Sequence, residues 1–411
     1  MRVRRTKLSL QVALRVWLFS PVACSCMSNA SSDAMSGHTV RDSAGVWIVE
    51  NATTVWSEGS GWKLGGQPEL EIGGNIGDPS TEFGRITAAL SLMGGTILIA
   101  DLQAAELRFY DEGGNRILTI GGQGKGPGEF QGIAKVWLAG EDTIVAYDPW
   151  GSRISYFGLD GRFLESELIG VLEPSISHVL TARFPDGTFL ARPNAMLSDK
   201  ILRGWSRDTV IWLRVGANGV VVDTVGRFPG YEGVVLGRGV TRTIAVRPFS
   251  PRGPVVLTAE RLYSGDGDRY SIDVYDHHGT LLRRIRRIEA KPREITEADV
   301  EAAKKAELER ATDDASRSAI ERKYAAAGER RIFPAFRDFV IDAEGNVWVQ
   351  SYPRPADREA RWTVFDSVGR MLGDVRMPSR LNPTEIGRQH VLGVWRDELD
   401  VERVRLYALF R

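Results

Sequence analysis

Hydrophobic and polar residues alternate along most of this chain in short runs, which glycine, aspartate and asparagine separate. The runs are about 4–6 residues long, as at positions 97–101 and 144–148. Such alternation is typical of half-buried strands in antiparallel sheets. Asp-Gly and Asn-Gly pairs between the runs supply the positive φ angles that tight hairpins need. The pattern therefore predicts an all-β protein built mainly of hairpins.

The same arrangement of residues returns at regular intervals. Residues 72–111 align with residues 120–160, so that Asp101 recurs as Asp148. The glycines of the later turns fall at positions 114, 161, 219, 279 and 369. One unit of this length cannot bury both faces of its small sheet, so several units have to pack side by side. Closing them into a ring removes the open edges, and five such units are visible.

A sixth unit would combine strands from both ends of the chain. The C-terminal segments 391–395 and 401–409 have the required apolar pattern. An N-terminal strand near 46–49 or near 70–72 would complete the sheet, and both options remain open. Joining the two ends in one sheet protects the last edge and locks the ring.

Residues 293–331 depart from this pattern because they are rich in alanine, glutamate, lysine and arginine. Thr296 and Asp299 have the spacing of a capping box at a helix start. We predict a short helical insertion near residues 296–327, with surface helices at 296–311 and 315–327. A solvated charged face is the simple explanation for such helices, and a lid or a partner surface is the alternative.

The N-terminal segment has the features of an export signal. Five basic residues and no acidic residue lie in the first 15 positions, and a short apolar stretch follows at 16–23. This stretch is far shorter than the ~20 residues that cross a bilayer. Cys24 resembles the lipid-modified cysteine of a bacterial lipoprotein, although Pro21 stands where leucine is usual. Cleavage after a small residue such as Ala30, or retention of an uncleaved anchor, are the alternatives.

The domain organisation follows from these segments. We predict a signal peptide at 1–23, a flexible tether at 24–42 and a single β domain at 43–411. The protein is expected to be exported to the periplasm or cell envelope, with Cys24 as the candidate lipidation site. Any contact with the membrane would then come only through this N-terminal anchor or signal.

Composition narrows the classes of function. The chain has 53 Lys plus Arg against 53 Asp plus Glu, which argues against a nucleic-acid binder. Both cysteines lie in the N-terminal segment, so the domain has no disulfide and no cysteine-based metal site. No HExxH motif and no G-x-S-x-G elbow occurs. The glycine-rich loop 121–128 lacks the Ser or Thr after Lys125 that a P-loop needs, which predicts a turn between units. We therefore predict no metal, no cofactor and no nucleic-acid partner.

Residues 120–130 read Ile-Gly-Gly-Gln-Gly-Lys-Gly-Pro-Gly-Glu-Phe and resemble the glycine-rich opening of an NHL-type repeat. With the opening at residues 40–51, the chain resembles the six-bladed β-propeller proteins with NHL-like repeats of the bacterial secreted and lipoprotein type. This resemblance implies four-stranded antiparallel blades around a central channel. It implies no single activity, because propellers host binding, lyase, hydrolase and scaffold functions.

The candidate site consists of polar residues near the start of each predicted inner strand. They are Arg85, Lys135, His178, Arg247, Arg337 and His390. If they share one end of the ring, they line a channel mouth with positive potential, which would attract a small anionic molecule or a glycan. Surface charge and hydrogen bonding between blades is the alternative explanation.

Two functions remain open from the sequence. The first is an exported module that binds a ligand or a protein, and it rests on the repeats together with the lack of a catalytic signature. The alternative is a propeller enzyme, either a lyase or a calcium-dependent hydrolase of the esterase or lactonase kind, acting at the central channel.

Overall fold

The structure is a computed structural model that describes residues 37–57, 59–74, 81–170, 178–193, 205–236, 243–288, 291–328 and 330–411. Its strands form six sheets within these residues, and two α-helices lie outside the sheets. The chain is a six-bladed β-propeller, as predicted. No helix in the described part of the chain has the length and apolar character that a membrane crossing requires.

Four strands precede the first complete blade. They are β1 (His38–Ser43), β2 (Val46–Asn51), β3 (Lys63–Leu64) and β4 (Leu70–Ile72). Blade 1 consists of β5 (Ile86–Ser91), β6 (Ile97–Asp101), β7 (Glu106–Tyr110) and β8 (Arg116–Gly121). Blade 2 consists of β9 (Lys135–Ala139), β10 (Thr143–Asp148), β11 (Arg153–Gly158) and β12 (Phe163–Leu168). Each of these two blades is an antiparallel sheet in chain order.

The middle blades are larger. Blade 3 consists of β13 (His178–Arg183), β14 (Phe189–Pro193), β15 (Ser206–Val215), β16 (Val221–Leu236) and β17 (Thr243–Val246). Blade 4 consists of β18 (Val255–Leu257), β19 (Leu262–Asp266), β20 (Ser271–Tyr275) and β21 (Leu281–Arg287), and it gains β2 and β1 at its outer edge.

The last two blades follow the helices α1 (Glu297–Arg310) and α2 (Asp314–Ala326). Blade 5 consists of β22 (Asp338–Ile341), β23 (Val347–Gln350), β24 (Glu359–Phe365) and β25 (Met371–Pro378). Blade 6 consists of β26 (Leu381–Ile386), β27 (His390–Arg396) and β28 (Glu402–Phe410), completed by β4 and β3.

The first strand of each blade lies nearest the central channel. β5, β9, β13 and β18 approach one another in turn around the ring, and β22, β26 and β5 do the same. All these strands run in one direction, so their starting ends share one face of the ring. We call this the mouth face; it also carries the loops between second and third strands. The opposite end is the base face.

The core lies between neighbouring blades. Leu98 and Leu107 of blade 1, for example, pack with Ile144 and Phe157 of blade 2 in one buried cluster. Because each sheet is apolar on both faces, every blade needs a neighbour on either side, and the closed ring supplies both. This packing explains why the sequence repeats without any single unit being able to fold alone.

The recurring aspartates at the ends of second strands have a structural role. Asp101 accepts hydrogen bonds from the backbone N–H groups of Gly84 and Arg85 at 3.0 and 3.2 Å. Asp148 accepts them from Gln131 and Gly151, both at 2.7 Å. These carboxylates satisfy loop N–H groups that would otherwise lack partners, and so they fix the loops of the mouth face.

The five predicted turn glycines all have positive φ, from 78° at Gly114 to 92° at Gly369. At Gly161 a Cβ atom would lie 2.7 Å from Leu118 Cδ2 on the outer strand of the preceding blade. The third-to-fourth-strand turns therefore need glycine for two reasons, the backbone conformation and the close approach of the preceding blade.

One of the two options for closing the ring is confirmed. β4 pairs with β28, with Ile72 opposite Val404. The segment 46–49 instead pairs in parallel with β21 of blade 4. Asn51 explains this placement, because its buried side chain donates to Arg286 O and Gly369 O and accepts from Met371 N. It therefore joins blades 4 and 5.

The chain ends differ from the sequence prediction in two further respects. β1 begins at His38, so the sheet starts within the range 24–42 that we expected to be a tether. Blade 6 also has an inner strand, β26, that the prediction missed. Residues 1–36, and with them Cys24 and the signal peptide, lie outside the described residues.

The helical insertion is confirmed within about two residues at each end. Thr296 Oγ1 accepts from Asp299 N at 3.2 Å, and Asp299 Oδ2 accepts from Thr296 N at 2.9 Å, which completes the predicted capping box. Glu307 of α1 binds both Lys323 and Tyr324 of α2. The insertion joins blade 4 to blade 5 and therefore emerges on the mouth face.

Candidate ligand site at the channel mouth

Four of the six predicted site residues lie at the mouth face. Arg85 directly precedes β5, and Arg337 directly precedes β22. Lys135 and His178 are the first residues of β9 and β13. The expectation that these side chains share one end of the ring agrees with their placement, because all four strands are innermost in their blades.

The other two predicted residues lie elsewhere. Arg247 follows β17, an outer strand, where its guanidinium pairs with Glu232 at 3.2 Å and donates to Ala327 O at 2.9 Å. His390 begins the second strand of blade 6, at the base face, and its Nε2 is 3.0 Å from Glu385 Oε1. The inner strand there is β26, and adjacent antiparallel strands start at opposite ends, so the prediction put His390 at the wrong end of the channel.

Arg252 and Arg337 form the centre of the candidate site. Arg252 lies in the loop before β18, and Arg337 lies before β22 in the next blade. Burial lowers the pKa of Arg337, and the neighbouring Arg252 cation lowers it further. Neither guanidinium makes an ion pair or a hydrogen bond with any residue that the structure describes.

Among the residues that the structure describes, Asp338 is a carboxylate whose pKa both arginines affect. Burial raises its pKa, although Arg252 and Arg337 both act in the opposite direction. Its Oδ1 accepts a hydrogen bond from Phe339 N at 2.9 Å, so it is already engaged with the backbone. One acid beside two arginines leaves a positive excess at this point of the mouth.

A second pair of cations lies in blades 2 and 3. Burial lowers the pKa of the Lys135 amine, and Arg192 in β14 adds to the effect by like-charge repulsion. Lys135 is nevertheless exposed to solvent, so protein surrounds its amine without closing it off from water. A side chain that is surrounded by protein and yet reaches water is what a channel-lining position requires.

Aromatic rings flank the arginines. Tyr352 packs against Phe333, with ring centroids 5.6 Å apart, and Phe249 lies 5.2 Å from Phe333. Arg252 lies 5.9 Å from the ring centroid of Tyr231. Burial raises the pKa of Tyr352, while Arg252 and Arg337 lower it. The cations and the rings therefore share one environment, which we call the mouth cluster (Tyr231, Arg252, Arg337, Asp338 and Tyr352).

Two other arginines near the mouth face, Arg330 and Arg354, have carboxylate partners. Arg330 binds both Glu232, at 2.8 Å, and Asp268, at 2.7 Å. A second such pair joins Arg354 to Asp299 at 2.6 Å. These pairs fasten the helical insertion to blades 3, 4 and 5. Arg252 and Arg337 have no such carboxylate partner among the described residues.

Potential metal ligands are dispersed in the described part of the chain. Among the residues that the structure describes, no three His, Cys, Asp or Glu side chains lie close enough together to hold a metal ion. His277 contacts the carbonyl of Thr258 at 3.1 Å and the ring of Phe184 at 5.4 Å, which accounts for its position in the turn. The glycine-rich loop 121–128 connects blades 1 and 2 and leads into a strand, as expected for a turn.

The sequence prediction missed Arg252, Tyr231 and Tyr352. Arg252 lies three residues before the apolar run of β18, whereas Arg337 directly precedes β22. The tyrosines come from a second-to-third-strand loop and an outer strand, and only the fold brings them to the mouth.

Comparison with known proteins supports the architecture. The sequence profile of the DUF5128 family, described as a six-bladed β-propeller, matches residues 80–180. This range holds blades 1 and 2, where the internal repeat is clearest. No curated protein matches the sequence.

Solved structures extend the likeness to most of the chain. A member of the DUF4221 family from Bacteroides vulgatus is 12% identical, with 85% of this chain and 98% of that one covered and a TM-score of 0.51. A protein provisionally named as exported, from Bacteroides fragilis, is 12% identical over 88% and 99%, with a TM-score of 0.47. Virginiamycin B lyase from Staphylococcus aureus is 9% identical over 85% and 100%, with a TM-score of 0.41. At such identities the likeness concerns the fold alone.

Proposed function

We propose that this protein is an exported binding module that holds a small anionic ligand at the mouth of its central channel. The observation that carries the proposal is the pair Arg252 and Arg337, which precede inner strands of neighbouring blades, are close enough for Arg252 to lower the pKa of Arg337, and have no ion-pair partner among the described residues. The helical insertion rims the same face and would form part of the entrance.

The energetics of this pair favour an anion. Burial disfavours the charged form of Arg337, and the nearby Arg252 cation disfavours it further, so that both effects lower the pKa of Arg337. A carboxylate, sulfate or phosphate on a ligand would accept the N–H groups of both guanidinium forks and remove the repulsion. The fold therefore carries an unfavourable charge arrangement that a ligand of the right sign would relieve.

The aromatic residues restrict the class of ligand. Tyr352 and Tyr231 offer ring faces and hydroxyl groups within the mouth cluster. Flat apolar faces next to charged donors suit a ring that bears an acidic group, such as a sugar acid. We therefore take an anionic saccharide as the ligand class to test first, with a protein partner as the other form of the binding function.

Export of the protein is part of the proposal. It rests on the basic residues at 2–15, the apolar stretch at 16–23 and the cysteine that follows. Mass spectrometry of the mature N-terminus tests the anchor, because a lipid-modified Cys24 is expected there. An unmodified terminus beyond Cys26 would contradict anchoring and leave export itself standing.

The binding proposal can be tested with matched charged and neutral probes. We expect glucuronate to bind the purified protein in calorimetric titrations and glucose to bind far more weakly, because only glucuronate carries the carboxylate. The double variant Arg252→Gln, Arg337→Gln should weaken glucuronate binding by about tenfold or more, as expected for loss of charge-assisted hydrogen bonds. Arg116→Gln, at an exposed outer strand of blade 1, should leave it unchanged.

A second readout separates a binding site from mere structural charge. If the two arginines are held for a ligand, the double variant should unfold at the same or a higher urea concentration than the wild type, since a repulsion is removed. Equal binding of glucuronate and glucose, or unchanged affinity in the double variant, would overturn the proposal.

A further inference from the structure

A groove of about 550 Å³ lies between blades 3 and 4, apart from the channel mouth. One wall is formed by residues 227–229 of β16, and the other is formed by the strands β19, β20 and β21. No member of the mouth cluster lines it. This inference therefore concerns a separate site and does not depend on the proposed function.

The groove has an excess of positive charge. Arg227, Arg269, Arg284 and Arg286 line it, against the two carboxylates Asp266 and Asp273. Arg284 donates two hydrogen bonds to Asp273, both at 2.6 Å, so these two charges neutralise each other.

The remaining charges can be assigned in the same way. Asp266 forms an ion pair at 2.6 Å with Arg207, which lies outside the groove. Arg286 pairs with Glu50 of β2 at 3.2 Å. Arg227 and Arg269 remain without an ion pair to any residue of the described ranges. Two unpaired guanidinium groups thus face one groove.

The floor of the groove offers hydroxyls and rings. Ser264 and Ser271 line it beside the arginines, and Ser264 is buried. The rings of Phe228 and Tyr275 lie 5.3 Å apart at the same place. Serine hydroxyls can donate to an oxyanion, while the rings give an apolar surface for whatever carries it.

We propose that this groove binds a phosphate dianion, either free or as the monoester of a small molecule. The two unpaired guanidinium groups favour a dianion, because the ≈ −1.5 to −2 charge of a phosphate at pH 7 balances their charge. Guanidinium forks match the tetrahedral oxygens in bidentate geometry. The groove is larger than a phosphate alone needs, so it leaves room for an organic group on the rings.

Calorimetric titration of the purified protein with inorganic phosphate and with glucose 6-phosphate tests the site. If the ligand is free phosphate, both probes are expected to bind. If the ligand is a phosphate monoester, glucose 6-phosphate is expected to bind more tightly than inorganic phosphate. Either result requires that Arg227→Gln, Arg269→Gln weakens the affinity by about tenfold or more. The affinity should also rise between pH 5 and pH 7.5, because the second phosphate pKa is ≈ 6.

Two control variants make the test specific. Arg162→Gln removes an exposed arginine from a turn of blade 2 and should leave the affinity unchanged. The channel variant Arg252→Gln, Arg337→Gln should also retain phosphate binding, which separates this site from the mouth cluster. Absence of binding by both probes, or affinity that survives the loss of Arg227 and Arg269, would overturn the inference.

Discussion

Glu402 of the last blade accepts a hydrogen bond from the backbone N–H of Ile86, the first residue of the first inner strand, at 2.5 Å. At the other end of that strand, Glu385 accepts from the N–H of Ser91 at 2.9 Å. Blade 6 therefore holds both ends of β5 through carboxylates. These bonds close the ring between blades 6 and 1, in addition to the pairing of β4 with β28.

Glu402 should be important for stability, because its side chain is only 6% exposed and also binds Arg396. We expect Glu402→Ala to lower the free energy of unfolding by about 1–3 kcal/mol, since the Ile86 N–H would lose its partner in a buried place. Urea unfolding measures the change. Glu398→Ala serves as the control, because that side chain is 85% exposed and its pair with Arg380 contributes little. Equal losses in the two variants would contradict this assignment.

Glu385 should make the stability depend on pH. Burial alone would raise its pKa, but the hydrogen bonds from His390 and from the Ser91 N–H lower the pKa below its ordinary value. A carboxylate whose pKa is lowered by folding stabilises the protein fully above the unfolded-state pKa. This contribution is lost as the pH falls through the folded-state pKa.

The corresponding experiment compares Glu385→Gln with the wild type in urea at several pH values between about 3 and 7. The stability gap between the two proteins should be largest near neutral pH and shrink on the acid side. Glu359→Gln, at an exposed position of blade 5, should show no such narrowing. A gap that stays constant over the whole range would rule out the carboxylate as its cause.

Trp62 fastens the N-terminal segment to the ring. Its indole stacks on that of Trp348 in blade 5, with centroids 5.1 Å apart and planes 3° from parallel. Because Trp62 is buried, Trp62→Ala should cost about 3–5 kcal/mol of unfolding free energy. Trp150→Ala, which removes an indole that is 58% exposed, should cost far less. Similar midpoints for the two variants in thermal unfolding would contradict a clamping role.

Glu232 should control how firmly the helical insertion is attached. Its carboxylate forms ion pairs with Arg247 at 3.2 Å and with Arg330 at 2.8 Å. Arg247 also donates a hydrogen bond to the carbonyl of Ala327, which follows α2. We expect Glu232→Gln to speed amide hydrogen exchange in residues 297–326 by about tenfold, as the charge-assisted bonds weaken. Glu309→Gln on the exposed side of α1 is the control. Identical exchange in both variants would show that the insertion is held by other contacts.

Much of the architecture could be predicted from the sequence because it rests on local rules. The repeat of 72–111 in 120–160 marks blades 1 and 2, and the turn glycines mark where a positive φ is needed. The capping box at Thr296 and Asp299 fixed the start of α1. Each of these signals lies within a few residues of the feature that it predicts, so no knowledge of distant contacts was required.

The positions of β2 and β26 could not be predicted in this way. The segments 46–49 and 70–72 have similar apolar patterns, and the choice between them depends on Asn51 bonding to Gly369 and Met371 of the neighbouring blade. β26 carries Pro383, a residue that weakens any strand assignment. Without β26, the strand that begins at His390 was predicted to be the inner strand of blade 6, and His390 was therefore predicted at the wrong end of the channel.

The sequence by itself determined that this chain forms a ring of repeated hairpins with a helical insertion, because hydrophobic period, turn chemistry and capping act locally. Only the tertiary structure decided which charges remain without partners. The sequence marked Arg337 as a residue at a strand start, but it did not show whether Arg337, Arg252, Arg227 or Arg269 has a partner. Whether a guanidinium is paired depends on carboxylates that folding brings from other blades, and both candidate sites are defined by that outcome.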